Sequence, residues 1–211
     1  MTNHETTIRL AGSTSRYPCH VCGFFNSRAE EHSILLPFLR EGFAEGDKIF
    51  QILASENCDI RRHQVEEMGI DVEAVERSGQ LEIRPWEDAH LRDGRFDQYA
   101  MLALLDEAMT TSKKQGYPLI RLWANMEWAL KEMPGVHDII EYESRFNEIL
   151  PKHDGVVVCT YDLSLFNAAV VVDVLRTHPL VIMGGILLEN PFYVQPEDLI
   201  RELRSRRGPA A

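Results

Sequence analysis

GVVVCTYDLSLFNAAVVVDVLRTHPLVIMGGIL, residues 155–187, contains two short apolar runs separated by a helical segment. The runs at 155–161 and 180–187 are continuously apolar, and their length is typical of strands buried on both faces of a sheet. Residues 168–176, between them, carry apolar side chains at helical spacing. A strand, a helix and a second strand in this order predict a parallel βαβ unit.

The same alternation extends toward the amino terminus. Further buried strands are predicted at residues 20–25, 48–54, 81–86 and 119–123. Helices are predicted at residues 30–45, 59–68, 95–115, 138–150 and 196–204. Apolar strands separated by helices predict an α/β fold with a mainly parallel sheet and helices on both faces. We expect one domain over residues 16–205, with disordered tails at residues 1–15 and 206–211.

The charge balance disfavours a nucleic-acid partner. The 211 residues include 22 Lys and Arg against 33 Asp and Glu, which gives a formal net charge of −11. Proteins that bind nucleic acids usually present a basic face, and the basic residues gathered at 201–207 better suit the end of a helix. No apolar run approaches the ~20 residues of a membrane span, and no signal peptide opens the chain. We therefore expect a cytoplasmic protein that does not contact a membrane.

Four segments carry a specific resemblance to a known family. They are HVCGFF (20–25), EYESRFNEIL (141–150), VVVCTYDLSLF (156–166) and VVDVLRTHPLVIMGGILLENPFYV (171–194). Together they resemble the MEDS domain family, and the likeness extends over residues 17–203. The resemblance implies a non-catalytic sensory module in signal transduction or transcription regulation. It also implies a small-molecule ligand, which we expect to be apolar and hydrocarbon-like.

The first half is also similar to RecA- and KaiC-type ATPase cores, through EGFAEGDKIFQILASEN (41–57) and LIRLWANMEW (119–128). This likeness implies a RecA/KaiC-like sheet and puts Glu127 near the position of a catalytic carboxylate. The first predicted strand is followed by FNSR (25–28), whereas a phosphate-binding loop needs glycines and a lysine. We therefore expect no enzyme activity and no cofactor. A degenerate RecA-like nucleotide-binding protein is the alternative.

Candidate ligand-binding residues follow from the predicted sheet, because ligands of open parallel sheets bind beyond the carboxyl ends of the strands. The candidates lie in predicted strands or just after them: His20, Cys22, Phe24, Asn125, Glu127, Trp128, Tyr161, Asp162 and Tyr193. A carboxylate beside an indole can hold a polar or cationic group, and the aromatic side chains would form the wall of a pocket.

Several of these residues also have an ordinary structural interpretation. Glu127 would be a carboxylate at a helix start, and Trp128 would be a core side chain. Asp162 would cap a turn, and Tyr193 would anchor the last helix. His178 precedes a proline at the amino end of a strand, away from the predicted pocket, so we expect its ring to bond a backbone group.

The cysteines suggest a further alternative, a thiol or metal sensor that uses Cys19, His20 and Cys22. His20 and Cys22 share one face of the predicted strand, but Cys19 points to the other face. Neither Cys58 nor Cys159 has a ligand neighbour at a useful spacing along the chain. We therefore expect no metal ion and inert, buried thiols.

The expected partners follow from these interpretations. Besides a small-molecule ligand, they include a separate regulator or a histidine kinase, because no segment of effector size follows Leu203. The acidic surface also allows a protein-interaction scaffold or a homodimer. Direct binding to nucleic acid is not expected.

Overall fold

The computed structural model describes residues 7–206. The strands in this range are β1 (Thr7–Leu10), β2 (Ser13–Arg16), β3 (Cys19–Phe25), β4 (Lys48–Leu53), β5 (Leu81–Pro85), β6 (Ile120–Asn125), β7 (Gly155–Asp162), β8 (Leu180–Met183) and β9 (Ile186–Glu189). The α-helices are α1 (Arg28–Glu45), α2 (Ser55–Glu67), α3 (Val72–Ser78), α4 (Gln98–Lys114), α5 (Ile139–Ile149), α6 (Ala168–Leu175) and α7 (Pro196–Arg206).

The main sheet has seven strands in the order β5-β4-β6-β7-β3-β8-β9. Every neighbouring pair in it is parallel except β8 and β9. The predicted α/β fold with a mainly parallel sheet is therefore confirmed. The βαβ unit of β7, α6 and β8 is present, with β3 inserted between its two strands.

Helices cover both faces of this sheet, as predicted. α1, α2 and α3 pack on one face, and α4, α5 and α6 pack on the other. Along β3, Val21 and Phe25 belong to the core under α1, whereas Cys22 and Phe24 belong to the core under α5. This alternation has the two-residue period of a strand. Between residues 7 and 206, no helix combines the length and the apolar character needed to cross a bilayer.

The strand predicted over residues 180–187 is wrong in its second half. β8 ends at Met183, and β9 returns antiparallel to it. Gly184 and Gly185 form the turn with φ of 59° and 77°. Positive φ at both central residues is what a tight hairpin between twisted strands requires. The segment that follows β9 therefore lies at the amino ends of the parallel strands.

A hairpin also occupies part of the predicted amino-terminal tail. β1 and β2 pair antiparallel around Ala11 and Gly12, and Ile8 and Leu10 are buried in the core under α1. Strands of four residues with so few apolar side chains are too short for their pattern to be recognised in the sequence. Residues 1–6 and 207–211, the rest of the predicted tails, lie outside the described residues.

Helix α1 begins directly after β3 and therefore stands at the carboxyl end of that strand. Ser27 caps its amino end, because the Ser27 side chain accepts a hydrogen bond from the backbone N–H of Glu30. Pro37 lies inside the helix. Gly46 ends the helix in the left-handed conformation, with φ of 76°.

Candidate functional site

A cleft opens at the carboxyl ends of β4 and β6, between α1 and α2, and we call it the strand-end cleft. Its volume is about 240 Å³. The polar side chains that line it are Arg28, Glu31, His32, Gln51, Asn57, Arg61, Gln64 and Asn125. The indole of Trp123 forms part of its apolar wall. This is the edge of a parallel sheet at which ligands bind.

Arg28 joins two carboxylates at the rim of the strand-end cleft. Its guanidinium lies 3.0 Å from a carboxylate oxygen of Glu31 and 2.7 Å from one of Glu127. Glu31 also accepts a hydrogen bond of 3.0 Å from Nε1 of Trp123. Because Glu31 is buried, these two donors replace water as the partners of its charge. The predicted Glu127 is thus held in an ion pair at the cleft.

Arg61 is buried at the cleft and forms no ion pair within residues 7–206. Its guanidinium carbon lies 3.6 Å from the centre of the Trp123 ring, and its Nη1 donates to Oε1 of Gln51 at 2.5 Å. Burial lowers the pKa of Arg61 to about 10, although the charge of Glu31 opposes this shift, so the side chain remains cationic at neutral pH. Nε of Arg61 and Nε2 of Gln51 have no hydrogen-bond partner within residues 7–206. Two buried donors therefore remain unpaired beside the cleft.

Several donors at the loop between β3 and α1 already have partners there. The backbone N–H of Asn26 donates to a carboxylate oxygen of Glu30 at 2.8 Å, and the Asn26 side-chain amide donates to the same oxygen at 3.1 Å. The backbone N–H of Glu30 donates to Oγ of Ser27 at 3.2 Å. A phosphate at this helix start would need free N–H groups and would be repelled by Glu30. The loop therefore lacks the features of a phosphate cradle.

A second group of polar side chains is buried against the face of the sheet that α5 covers. It consists of His20 from β3, Glu143 from α5, Cys159 from β7 and His178, and we call it the buried cluster. Oε2 of Glu143 lies 3.2 Å from Nε2 of His20 and 3.4 Å from Nε2 of His178. Sγ of Cys159 lies 3.6 Å from Nε2 of His20 and 3.7 Å from Oε2 of Glu143. Four different segments of the chain thus meet at one point.

Outer hydrogen bonds orient the two imidazole rings of the buried cluster. Nδ1 of His20 lies 3.2 Å from Oδ1 of Asn147, and Nδ1 of His178 lies 3.0 Å from the carbonyl oxygen of Val174. The Asn147 amide nitrogen donates to backbone carbonyls, including that of Thr177 at 2.8 Å, so the Asn147 oxygen faces His20. Both rings therefore carry a hydrogen on Nδ1 and direct Nε2 toward the cluster. The hydrogen bond that the sequence predicts between the His178 ring and a backbone group is present. It also orients Nε2 of His178 toward Glu143.

The carboxylate of Glu143 is the charged centre of the buried cluster. Tyr161 donates its hydroxyl hydrogen to Oε1 at 2.9 Å, which leaves Oε2 facing the imidazoles. Burial alone would raise the pKa of Glu143, but His178 and His20 hold that pKa well below its usual range. Burial lowers the pKa of His20 to about 4 and raises the pKa of the Cys159 thiol. At neutral pH the cluster therefore contains an ionised carboxylate, a neutral His20 and a protonated thiol.

The predicted ligand residues do not form one pocket. Asn125 lines the strand-end cleft, and Glu127 lies at its rim. His20 is a member of the buried cluster, and Tyr161 bonds to that cluster. The remaining candidates lie in the core, in a turn or at another edge of the sheet: Cys22, Phe24, Trp128, Asp162 and Tyr193.

Three of these remaining residues show how the structure separates them from the cleft. Trp128 is fully buried and stacks on His90 with a centroid distance of 4.5 Å. Asp162 caps a turn, because Oδ1 accepts hydrogen bonds from the backbone and hydroxyl of Ser164. Tyr193 lies in a depression at the amino ends of β3 and β8, because the β8–β9 hairpin reverses the chain.

Sequence analysis missed Glu143 and the contacts of Cys159. Cys159 has no ligand neighbour at a useful spacing along the chain, and its partners in space lie 139 and 16 residues away in the sequence. Glu143 did carry a signal in the sequence. Together with Ile139, Tyr142 and Phe146 it occupies the i, i+3, i+4 and i+7 positions of one helix face. A carboxylate within an otherwise apolar face indicates a buried polar site.

Comparison with known families agrees with this architecture. The family model described as "MEDS: MEthanogen/methylotroph, DcmR Sensory domain" matches residues 19–179. The chain belongs to the MEDS family. The segment of this MEDS chain that matches contains the strand-end cleft and all four members of the buried cluster.

One relative of the MEDS chain is the transcriptional repressor DcmR of Methylorubrum extorquens (strain DSM 6343 / CIP 106787 / DM4), which is 28% identical over 171 residues. The match covers 81% of the MEDS chain and 62% of the repressor. The chain therefore spans less than two thirds of the length of that relative.

Two solved structures resemble the MEDS chain. The KaiC-like protein PH0186 from Pyrococcus horikoshii OT3 matches with a TM-score of 0.59 and 16% identity, over 85% of this chain and 76% of that chain. The flagellar accessory protein FlaH from Methanocaldococcus jannaschii gives a TM-score of 0.46 and 14% identity, over 79% and 74% of the two chains. The first comparison shows that the MEDS chain has a KaiC-like α/β fold.

Proposed function

We propose that this chain is a non-catalytic sensory domain in transcription regulation, and that its small-molecule ligand binds in the strand-end cleft. Membership of the MEDS family and similarity to a transcriptional repressor support the sensory role. The position of the cleft supports the location of the ligand, because it lies beyond the carboxyl ends of two parallel strands.

The observation that carries this location is the pair of buried donors on Arg61 and Gln51. Among the residues that the structure describes, Nε of Arg61 and Nε2 of Gln51 lack acceptors, and both residues line the cleft. A buried donor without a partner costs about 1–3 kcal/mol, which a ligand recovers by offering an acceptor. The cationic Arg61 favours a carboxylate or carbonyl oxygen in that position.

The cleft also limits the size and the polarity of the ligand. A volume of about 240 Å³ is smaller than the roughly 300–1,000 Å³ typical of drug-sized ligands. Ile52, Leu53, Ile60 and Trp123 supply apolar surface beside the two donors. The ligand is therefore a short molecule with an apolar part and one acceptor group. This refines the hydrocarbon-like ligand expected from the sequence by adding the acceptor.

Ligand screening with a matched pair of arginine variants tests this proposal. Short-chain carboxylates, aldehydes, amides and halogenated hydrocarbons are screened by thermal unfolding, and a ligand at 100 times its Kd stabilises the protein by about 2.7 kcal/mol. Arg61→Met keeps a long side chain over Trp123 but removes the charge and the donors. We expect it to weaken binding about tenfold or more, because hydrogen bonds to charged groups contribute about 1.5–3 kcal/mol.

The control is Arg62→Met, because Arg62 is the next residue on α2 but pairs with Glu76 and Asp59 instead of lining the cleft. This variant should bind the ligand as the wild type does. A ligand that binds the wild type and Arg61→Met equally would place the site elsewhere. Failure of every chemical class in the screen to stabilise the wild type would contradict the sensory proposal itself.

Residual nucleotide binding is the competing function, and it draws on the KaiC-like fold. The bonds of Glu30 to Asn26 and Ser27 argue against it, because they occupy donors of Asn26 and Glu30 and place a carboxylate at the helix start. Titration calorimetry with ATP and Mg²⁺ separates the two functions. Heat of binding at millimolar nucleotide would favour the nucleotide, whereas its absence would favour the small-molecule ligand.

We further propose that the sensory signal passes to a protein partner, either a separate regulator, a histidine kinase or a second copy of this chain. The net charge of −11 makes direct contact with nucleic acid unfavourable. Light scattering with and without the ligand tests the second copy. A ligand-dependent change in mass would support a homodimer, and a constant monomer would point to a different partner.

A further inference from the structure

We propose that His20, Glu143, Cys159 and His178 form a binding site for a divalent transition-metal ion, with Zn²⁺ as the best match. Each residue contributes one atom of a type that binds such ions, and these atoms lie within 4.8 Å of one another. The inference is independent of the strand-end cleft, because none of the four residues lines that cleft.

Four of the six distances between these atoms match those of a tetrahedron around one ion. With Zn–N and Zn–O bonds near 2.05 Å and a Zn–S bond near 2.3 Å, tetrahedral geometry separates N and O ligands by about 3.4 Å and places S about 3.6 Å from either. The observed separations of Oε2 of Glu143 from the two Nε2 atoms are 3.2 and 3.4 Å. Sγ of Cys159 is 3.6 Å from Nε2 of His20 and 3.7 Å from Oε2 of Glu143. Four edges of the tetrahedron thus have the required length.

The outer hydrogen bonds give the two imidazoles the tautomer that a metal ligand needs. Asn147 and the Val174 carbonyl each present an oxygen to Nδ1, so both rings carry their hydrogen on Nδ1 and a lone pair on Nε2. Nε2 of His178 has no hydrogen-bond partner among the described residues, although it lies 3.4 Å from Oε2 of Glu143. Such outer partners are usual for the histidines of metal sites.

The carboxylate and the thiol complete the donor set. Tyr161 occupies Oε1 of Glu143, so Oε2 is the oxygen that faces both imidazoles. Lone pairs from three acceptor atoms therefore converge on one buried point, where a cation stabilises them. On metal binding Cys159 releases its proton to solvent, and the resulting thiolate and the carboxylate together balance the charge of a divalent ion.

The chemistry of the donors selects the ion. Two imidazole nitrogens, one thiolate and one carboxylate suit Zn²⁺, whereas Ca²⁺ and Mg²⁺ require oxygen ligands. Four protein ligands close the coordination sphere, which is typical of a structural or regulatory ion rather than a catalytic one. The ligands come from β3, α5, β7 and the residue pair before β8. An ion at this point would fasten α5 to the sheet.

The experiment uses the full chain, stripped with a chelator under denaturing conditions and refolded with one equivalent of Zn²⁺ or Co²⁺. Refolding is needed because the side chains of the cluster are 0–4% exposed, which prevents direct entry. We expect one ion per chain by elemental analysis after dialysis. The Co²⁺ form should show the visible absorption of a tetrahedral site and a thiolate-to-cobalt charge-transfer band in the near ultraviolet.

Two cysteine variants make the test specific. Cys159→Ser should remove the charge-transfer band and weaken Zn²⁺ binding by more than the roughly 10–100-fold typical of an outer partner. Cys22→Ser is the matched control, because Cys22 is also buried and pairs with Cys159 across the strands, but its thiol donates to the Leu180 carbonyl. This control should keep both the stoichiometry and the band. Asn147→Leu should weaken binding about 10–100-fold, because it removes the oxygen that faces Nδ1 of His20 and the amide that donates to the Thr177 carbonyl beside His178.

Two results would overturn the site. One is a wild-type chain that retains no stoichiometric ion after dialysis. The other is retention of the ion with the same Co²⁺ spectrum in Cys159→Ser, which would indicate an adventitious ion at surface groups such as the exposed His63. Should Cys159→Ser fail to fold, the charge-transfer band of the wild type and of Cys22→Ser decides the question, because its absence from both would exclude the thiolate as a ligand.

Discussion

The strand-end cleft and the buried cluster both place polar side chains against the main sheet, but they satisfy those side chains in opposite ways. Beside the cleft, buried donors on Arg61 and Gln51 have no acceptor among the described residues. In the cluster, Asn147 and Tyr161 anchor the outer atoms, while acceptor atoms converge at the centre. The cleft is therefore suited to an exchangeable partner that brings an acceptor, and the cluster is suited to a cation that remains in place.

The largest loss of stability should follow removal of the buried carboxylate of Glu143. In chelator-treated protein, Glu143→Ala leaves the Tyr161 hydroxyl and the Cys159 thiol without the carboxylate that accepts their hydrogen bonds. We expect the free energy of unfolding to fall by about 3 kcal/mol, because each unpaired buried donor costs about 1–3 kcal/mol. Urea unfolding measures this, and the control Glu148→Ala, on the exposed side of α5, should change it by about 0.5 kcal/mol or less. A small effect of Glu143→Ala would show that the cluster is not a stabilising network.

The sensitivity of the folded chain to acid should come from a buried histidine. His90 is fully buried beside Trp128, and burial lowers its pKa from 6.5 to about 3. Between these values the unfolded chain binds a proton that the folded chain excludes, so stability is lost as pH falls below 6.5. His90→Phe keeps the aromatic stacking and should reduce this loss by about 1 kcal/mol per pH unit. Unfolding curves at several pH values measure the slope, and His63→Gln, at an exposed imidazole, should leave it unchanged.

A substitution within the strand-end cleft should lower the free energy of unfolding less than Glu143→Ala does. Arg61→Ala removes the guanidinium from the face of Trp123 and from Gln51, and we expect a loss of about 1 kcal/mol by urea unfolding. Arg62→Ala, which breaks only partly exposed ion pairs, should cost about 0.5 kcal/mol. A loss of several kcal/mol for Arg61→Ala would mean that Arg61 serves the fold rather than a ligand.

The smallest effect is expected at the rim of the cleft. Glu127→Gln removes one of the two carboxylates that contact Arg28, but Glu31 keeps the other contact. The free energy of unfolding should change by about 0.5 kcal/mol, because Arg28 is partly exposed. Thermal unfolding checks this outcome. A destabilisation comparable to that of Glu143→Ala would contradict the distinction between the two regions.

The sequence predicted the sheet well because parallel strands are apolar on both faces and leave a clear pattern. It also located Asn125 and Glu127 correctly at the carboxyl edge, since that inference needs only the end of β6. It failed for Tyr193 because two adjacent glycines were assigned to a strand interior rather than to a turn. The actual hairpin carries Tyr193 to the opposite edge.

The buried cluster could not be assembled from spacing, because its members come from four segments whose alignment depends on the register of β3 against β7. Partial signals were nevertheless present. Glu143 interrupts an apolar helix face, and Gln51 interrupts the apolar strand KIFQILA. A polar residue within an apolar, buried segment needs a hydrogen-bond partner. That partner can be distant in the sequence, so only the folded structure identifies it.

Strand β3 has a mechanical consequence for the two regions. His20 stands near its start, and the loop to α1, whose first residue Arg28 lines the strand-end cleft, begins after Phe25, so at about 3.3 Å per residue His20 lies roughly 17 Å from that loop along the strand. β3 is hydrogen-bonded to β7 and β8, and such a strand resists stretching. A displacement at one end of β3 would therefore move the whole strand along its axis. β7 and β8 would then either move with β3 or change their register against it.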